Sequence, residues 1–332
     1  MYKNSLLNSI EEKAGNGFDI NHNEAEGLVT LIKDKPYELY HLANKIREKY
    51  FGNKINFCGI ANVKSGNCSE DCKFCAQSSH YRTSADVYPL VGEEKMIEAA
   101  GVIKGAKASR YGLVTSGCEM EGNDLSKIVS AIKRIKKEID IEPCASLGEL
   151  NDETCKILKE AGVVRYHHNL ETSERFFPKV CTTHSWDDRV QTVKIVKNNG
   201  LQACSGGIFG MGETWSDRLD LAFTLRELGV DSISLNFLNP VPGTPLGKQS
   251  PLEPKEILAI ISIFRIILPK KDIKICGGRE KNLRQLQSWI FYSGASGMMV
   301  GNYLTTVGRS HELDWEMIND LGMEIENNET RK

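Results

Sequence analysis

The sequence predicts an α/β fold, a (β/α)8 barrel of the TIM type with an N-terminal helical extension, and three observations carry that prediction. From Lys54 onward, short β-rich runs alternate with amphipathic helical segments, the pattern of a parallel α/β fold. Gly162, Gly200 and Gly229 stand where successive helices should stop, as capping glycines do. Each cluster of chemistry-bearing residues falls within a strand run or directly after one, where such barrels keep their function. An open doubly wound sheet is the alternative.

Residues 1 to about 50 read as helical. Asn23-Glu-Ala-Glu opens one helix, and Tyr37, Leu39, Leu42, Ala43 and Ile46 pattern another; the segment carries no motif and is expected to cap a barrel end. Strands are expected at 55–63, 109–116, 141–147, 163–168, 201–206, 231–237, 272–276 and 296–300. Helices are expected between them at 93–105, 123–138, 151–161, 185–199, 215–228, 254–267 and 282–292. Asn151-Asp-Glu-Thr brings good capping chemistry to the third of these. Residues 311–332 are acidic and read as a short helix followed by a frayed tail. The expected division is a helical segment 1–50, a core 51–280, and a stretch 281–332 that completes the barrel and ends in the tail.

Composition narrows the function classes. A chain of 332 residues can hold one large α/β barrel or two ordinary domains, and a net charge of −2 with mixed signs gives no basic face for nucleic acid. The first ten residues have too short an apolar run for a signal peptide, and no stretch is long enough to span a bilayer, so the chain reads as cytoplasmic. Ten cysteines in such a chain point to metal or redox chemistry rather than to disulfides.

Three of them form Cys68-Ser-Glu-Asp-Cys72-Lys-Phe-Cys75, a C-x3-C-x2-C loop directly after the first strand run. That spacing wraps three thiolates around one centre and leaves a fourth coordination position open, as chemistry requires. A closed zinc site would want a fourth ligand at short range, and His80, five residues past Cys75, lies outside the usual spacing. Ser205-Gly-Gly-Ile-Phe-Gly-Met-Gly-Glu213 follows the fifth strand run; alone, such a turn usually means tight packing, and its glycines are wrongly spaced for a dinucleotide fingerprint. Arg165-Tyr-His-His-Asn-Leu-Glu-Thr172 follows the fourth. Adjacent strand residues point to opposite sides, so at most one of His167 and His168 can face a given centre, and hydrogen bonding suits either better than ligation. Asn169 and Glu171 can grip ribose hydroxyls and a urea-like substrate. Cys58, Cys144, Cys204 and Cys276 lie on four strand runs. Free cysteines are often small core residues, but four on barrel strands near the triad make an interior cluster plausible. Cys155, in a helix, and Cys181, in a loop, read as core residues, and Cys118 fits either reading.

The triad loop, with Phe74 before its third cysteine, resembles the radical S-adenosylmethionine (SAM) superfamily signature. From about Lys54 to Arg309 the chain resembles biotin synthases. The motifs that carry this are the triad with its Ser-Gly-x-Cys approach and Gln77-Ser-Ser tail, Tyr-x-His-Asn-Leu-Glu-Thr, Thr182-Thr-His-Ser-Trp-Asp-Asp-Arg, Cys204-Ser-Gly-Gly-Ile, Asn236-Phe-Leu with Gly243-Thr-Pro-Leu, Gly277-Gly-Arg-Glu and Tyr303-Leu-Thr-Thr. The resemblance implies a radical SAM barrel and a sulfurtransferase that inserts sulfur into dethiobiotin to form biotin. It implies a 4Fe–4S cluster on Cys68, Cys72 and Cys75 whose open iron takes SAM, and an auxiliary iron–sulfur cluster that supplies the sulfur. SAM contacts fall to Phe74, Gly206, Gly207, Ile208, Glu213, Asn169 and Glu171, and substrate contacts to Asn169, Asn62 and Asn236. The implied partners are a flavodoxin- or ferredoxin-type electron donor, the Fe–S assembly machinery and a second copy of the chain. Hydrogenase-maturation or thiazole-pathway radical SAM enzymes share the triad but should lack Tyr-x-His-Asn-Leu-Glu-Thr and Gly-Gly-Arg-Glu together; a non-catalytic iron–sulfur or zinc protein is the third reading.

One departure stands out. Many biotin synthases hold a 2Fe–2S auxiliary cluster on three cysteines and an arginine, which Cys144, Cys204 and Arg279 would match in part. The remaining cysteine falls at Gly112, while Cys58 and Cys276 are gained. This looks like the variant form of strict anaerobes. The expectation is a four-iron centre on Cys144 and Cys204 with Cys58, Cys276 or both, and Arg279 as a supporting donor. The rival is a 2Fe–2S centre with Cys58, Cys276 or Cys118 as substitute ligand.

Overall fold

Eight parallel strands close on themselves in the computed structural model, which describes residues 2–326. They are β1 Lys54–Lys64, β2 Arg110–Thr115, β3 Glu142–Ser146, β4 Arg165–His167, β5 Gln202–Phe209, β6 Ser232–Phe237, β7 Asp272–Ile275 and β8 Gly297–Met299. Each pairs with the next in sequence, and β1 joins β8 to β2 to shut the barrel. All eight expected strands are present. The fifth runs three residues past its expected end.

Before the barrel come α1 Tyr2–Gly15, α2 His22–Val29 and α3 Pro36–Phe51. Between strands lie α4 Glu93–Gly105, α5 Gly122–Glu138, α6 Asp152–Ala161, α7 Trp186–Asn198, α8 Trp215–Glu227 and α9 Pro254–Ile267. The starts of α6, α7 and α8 follow from side-chain capping. Asn151 accepts from the Thr154 N–H at 2.9 Å, and capping boxes at Ser185/Asp188 and Thr214/Asp217 open α7 and α8. The helix expected at Asn23 starts one residue earlier, because Asn21 and Glu24 make its capping box.

The N-terminal segment does not cap a barrel end. Its α3 packs on α9, and α2 on α8, so it belongs to the outer shell. Sheet on one side and α3 on the other explain why every residue of α9 from Ile257 to Ile267 is buried.

Two corrections concern the C-terminal part. The helix expected at 282–292 is broken into α10 Arg279–Leu283, a 3-10 turn Arg284–Leu286, and α11 Trp289–Tyr292; the break falls where Arg284 takes φ of 51°. After α12 His311–Asp320, the expected tail instead adds β9 Glu324–Glu326, parallel to the start of β1. The rest of that tail, 327–332, lies outside the described residues. No helix among the described residues is long and apolar enough to cross a membrane.

Candidate functional site

A cavity of about 450 Å³ opens at the carboxyl ends of the strands and runs into the barrel. Cys68, Cys72, Cys75 and Phe74 all line it. Their loop is pinned shut by its own backbone: Cys68 N–H donates to Gln77 O at 3.0 Å, and Ser79 N–H donates to Cys68 O at 2.8 Å. The Gln77 side chain accepts from Ser65 Oγ at 3.0 Å and from Gly66 N–H at 3.2 Å, which ties the loop to the end of β1. Burial pushes the Cys75 thiol up to about 11. A thiol so placed ionises readily only against a cation.

His80 does not turn toward the triad; its Nε2 meets Ser69 O at 2.8 Å. A different cysteine does. Cys181, expected to be a core residue, brings its Sγ within 3.7 Å of Cys72 Sγ and 3.3 Å of His184 Nδ1. Among the described residues, Cys72, Cys181 and His184 are the group whose ligand atoms all lie within 4.8 Å of one another. The tautomer argues against a single-ion site there. Arg189 Nε donates to His184 Nε2 at 2.9 Å, so the neutral ring carries its proton on Nδ1, facing Cys181 and Glu70. His184 is thus a donor. The thiols of the triad, spread around the cavity, suit a multi-iron cluster, which holds its ligands farther apart than one ion does.

Deeper in, strand register builds a second wall. Cys58 is level with Arg110, Cys144 with both Gly112 and Arg165, Cys204 with His167, and Lys274 with Ser234. Cys58, Cys144, Cys204 and Cys276 all face the cavity, as do Arg110, Arg165 and Lys274. Burial pushes Cys144 up to about 11, against the pull of Arg110, Arg165 and Lys274, and it raises Cys58, Cys204 and Cys276 as well. Four soft donors beside fixed cations fit a polynuclear, thiolate-ligated, anionic centre. At Gly112 an added Cβ would stand 3.2 Å from Ile60 Cγ2, a tight contact with the end of a movable side chain. Cys118 also lines the cavity, with burial and then Glu149 and Glu70 raising it to about 12, whereas Cys155 is fully buried in α6.

Arg279 is elsewhere. It is 1% exposed, bonds Asp314 at 2.9 and 3.1 Å and Gln287 at 2.7 Å, and does not line the cavity. The cations at the interior wall are Arg110, Arg165 and Lys274, none of which sequence reasoning singled out. A signal existed: alternation on β7 puts Asp272, Lys274 and Cys276 on one face.

The residues expected to contact SAM divide. Asn169, Glu171 and Ile208 line the cavity, and Ser234 Oγ donates to Asn169 Oδ1 at 2.7 Å. Burial raises the Glu171 carboxyl, and Arg189, 3.7 Å away, pulls it back. Gly206 and Gly207 do not line the cavity; they permit close packing. A Cβ at Gly206 would meet Ser234 O at 1.9 Å, and one at Gly207 would meet Glu171 O at 2.4 Å. Glu213 is spent on its own turn, accepting from Gly210 and Met211 N–H groups and pairing with Arg218 at 2.9 Å. Asn236 lines the cavity and accepts from Gly277 N–H at 2.9 Å, while Asn62, off the lining, donates to Leu304 O at 3.0 Å. Both His167 and His168 line the cavity, because β4 ends at His167 and strand alternation ends with it. His167 Nδ1 lies 3.3 Å from Cys204 Sγ.

The profile of the radical SAM superfamily matches residues 62–225, and that of the biotin and thiamin synthesis associated domain matches residues 234–324. The chain is 50% identical over 320 residues to a biotin synthase of Geotalea daltonii, covering 96% of this chain and 97% of that one. It is 49% identical over 325 residues to one from Geobacter sulfurreducens, covering 98% of each. Among solved structures, a methylornithine synthase superposes with a TM-score of 0.83 at 20% identity, over 96% of this chain and 97% of that one. An FeFe-hydrogenase maturase from Carboxydothermus hydrogenoformans gives 0.79 at 18%, over 96% and 78%. At those identities the structural likeness concerns the fold.

Proposed function

The chain belongs to the biotin synthase family, and from that premise we propose that its barrel carries two iron–sulfur centres, one at the mouth and one inside. It is a sulfurtransferase of the radical SAM kind: it inserts sulfur into dethiobiotin to form biotin, drawing the sulfur from an auxiliary iron–sulfur cluster. In this reading Cys68, Cys72 and Cys75 hold a 4Fe–4S cluster with one iron open to SAM, and Cys58, Cys144, Cys204 and Cys276 hold a four-iron auxiliary cluster. When bound, the mouth cluster with SAM supplies a carbon-centred radical, and the interior cluster supplies sulfide.

The chain's own residues bind, orient and keep water out. Three thiolates on a loop closed by Gln77 fix the mouth cluster against β1. Arg189 donates to the Asn169 main-chain carbonyl at 3.0 Å and lies 3.7 Å from the Glu171 carboxylate, so one guanidinium ties the Asn169 backbone to the Glu171 side chain. Asn169 and Asn236, anchored by Ser234 and Gly277, are placed to take the ureido ring of dethiobiotin, with Asn62 nearer the rim. Glu213 shapes the turn after β5 from behind.

The observation that carries the interior reading is the set of four thiols, buried or half-buried, on β1, β3, β5 and just past β7, all facing one cavity. That Gly112 bears no thiol favours the four-iron form over a 2Fe–2S centre. Arg279, held by Asp314, is assigned no ligand role. The reading extends to a cytoplasmic homodimer served by a flavodoxin- or ferredoxin-type donor and the Fe–S assembly machinery, on the strength of family membership. Iron analysis of anaerobically reconstituted chain tests the two centres: about eight irons per chain are expected, four for each cluster. A count near six would overturn the four-iron interior centre. Assay with SAM, reductant and dethiobiotin should give 5′-deoxyadenosine and biotin.

A further inference from the structure

Lys274 enters the barrel from β7 and is 2% exposed. The residue lines the cavity, and its Nζ is one of the buried nitrogens that make no hydrogen bond. The nearest carboxylate oxygen, Asp272 Oδ2, is 3.6 Å away, beyond hydrogen-bond reach. Asp272 is already engaged: it accepts from Asn56 Nδ2 at 2.8 Å, Ser296 Oγ at 2.9 Å and Ser232 Oγ at 3.3 Å, and faces Arg165 Nη1 at 3.5 Å. An ammonium buried without acceptors is costly, so a fold that keeps one has an acceptor in view. The groups that share its electrostatic surroundings are Cys58, Cys144, Cys204 and Cys276.

We propose that Lys274 is a positioning residue for the sulfur-donating centre: its ammonium gives a hydrogen bond and a counter-charge to a sulfide of the interior cluster. This rests on the reading of an interior cluster held by those four cysteines. Charge points the same way. Arg110 is paired with Glu142 at 2.7 Å and Arg165 faces Asp272, which leaves one cation of the three in excess at the cavity floor. A centre with four thiolates is net negative and takes up that excess. The ammonium has three donors and no lone pair, so it bonds sulfur and does not ligate iron. It acts through the cluster and touches neither SAM nor the reacting carbon.

Hydrogen bonds to cluster sulfur and nearby positive charge raise a cluster's reduction potential, because both favour the more negative, reduced form. Full-length wild type, Lys274→Met and Lys274→Arg are reconstituted anaerobically. Iron and sulfide per chain are counted, and both centres are titrated while their electron paramagnetic resonance signals are followed. The expected result is a lower potential for the second centre in Lys274→Met, or loss of that centre alone. Lys274→Arg keeps the centre with a potential close to wild type, and the mouth centre is unmoved in both. The proposal is overturned if the second centre of Lys274→Met keeps its potential and spectrum, or if both variants lose it alike, as a packing role would require. A wild-type chain with a single centre would overturn the two-cluster reading and this proposal with it. A changed Lys274→Met against an intact eight-iron wild type separates the two.

Discussion

The Sγ of Cys72 lies 3.7 Å from the Sγ of Cys181, a residue 109 positions away in sequence. The two thiols compete for one place beside the mouth of the barrel. Cys181 is the more acidic: Cys72 donates to it, and His184 and Thr183 add their hydrogen bonds. Acidity alone would make Cys181 the better ligand, so the assignment of Cys72 has to be tested against it. Cys72 stands on the pinned loop with Cys75, whose N–H donates to Cys72 O at 2.9 Å, while Cys181 belongs to a separate segment after a 3-10 turn Phe177–Lys179.

Cys181→Ala is therefore expected to keep the mouth cluster and its SAM cleavage within about twofold, whereas Cys72→Ala loses both. Deoxyadenosine yield and iron content read the difference. Retention in Cys72→Ala with loss in Cys181→Ala would exchange the two roles.

Glycine substitutions separate close backbone approach from mere small size. At Gly207 an added Cβ meets the Glu171 carbonyl oxygen at 2.4 Å and Leu221 Cδ2 at 2.8 Å, and the first of these is backbone that cannot step aside. At Gly112 the nearest atom is Ile60 Cγ2 at 3.2 Å, the end of a movable side chain. Gly207→Ala is expected to destabilise the chain by about 3 kcal/mol and Gly112→Ala by about 1 kcal/mol or less. Denaturant midpoints compare them directly. Equal losses would mean that the pairing of β5 with the Glu171 segment is softer than its contacts indicate.

Asp217 gives a pH-dependent contribution. Burial pushes its carboxyl up, but hydrogen bonds from Thr214, Arg175 and Ser173 outweigh this and hold it well below the usual carboxylate range. A carboxyl depressed in the folded chain stabilises it above the unfolded value of about 3.9, and that contribution fades as pH falls below it. Asp217→Asn should cost about 1–2 kcal/mol at pH 7. The gap from wild type should narrow as pH drops below about 4. Denaturant unfolding of cluster-free chain at pH 7 and pH 3.5 measures it; a gap that stays constant would show that the charge contributes nothing.

How much of this was legible in the sequence depends on what kind of signal each feature leaves. The strands and most helices were readable because their apolar periods are strong and their caps are local, as at Asn151 and Thr214. The ninth strand was not: Glu324-Ile-Glu326 has one apolar residue and covers the edge of β1 over Lys54 to Asn56, before the pairing with β2 begins at Cys58. The broken helix after β7 looked continuous because its apolar positions keep a helical period, and the left-handed Arg284 leaves no mark in composition. Within the site, the triad loop stood out by its spacing, and the structure brings Cys68, Cys72 and Cys75 to one cavity. Cys181 was invisible, since its meeting with Cys72 is a fact of tertiary packing across 109 residues. Lys274 reads as an exposed strand lysine until the barrel's inward face is fixed by its neighbour Cys276.

Arg279 and Lys274 then make a contrast that one experiment on each can decide. Arg279 and Asp314 are 1% and 0% exposed, and Arg279 Nη2 bridges both carboxylate oxygens at 2.9 and 3.1 Å. Removing the arginine leaves Asp314 with Arg309 at 3.4 Å as its remaining cation. Breaking a buried pair by removing one partner costs about 3–5 kcal/mol. Arg279→Ala should therefore lower the denaturant midpoint sharply. In whatever fraction still folds, the interior centre should keep its iron count and spectrum, because this guanidinium faces Gln287 and Asp314 and not the thiols. An interior spectrum that shifts in Arg279→Ala with stability intact would return the arginine to the cluster and move the cavity's cationic role away from β7.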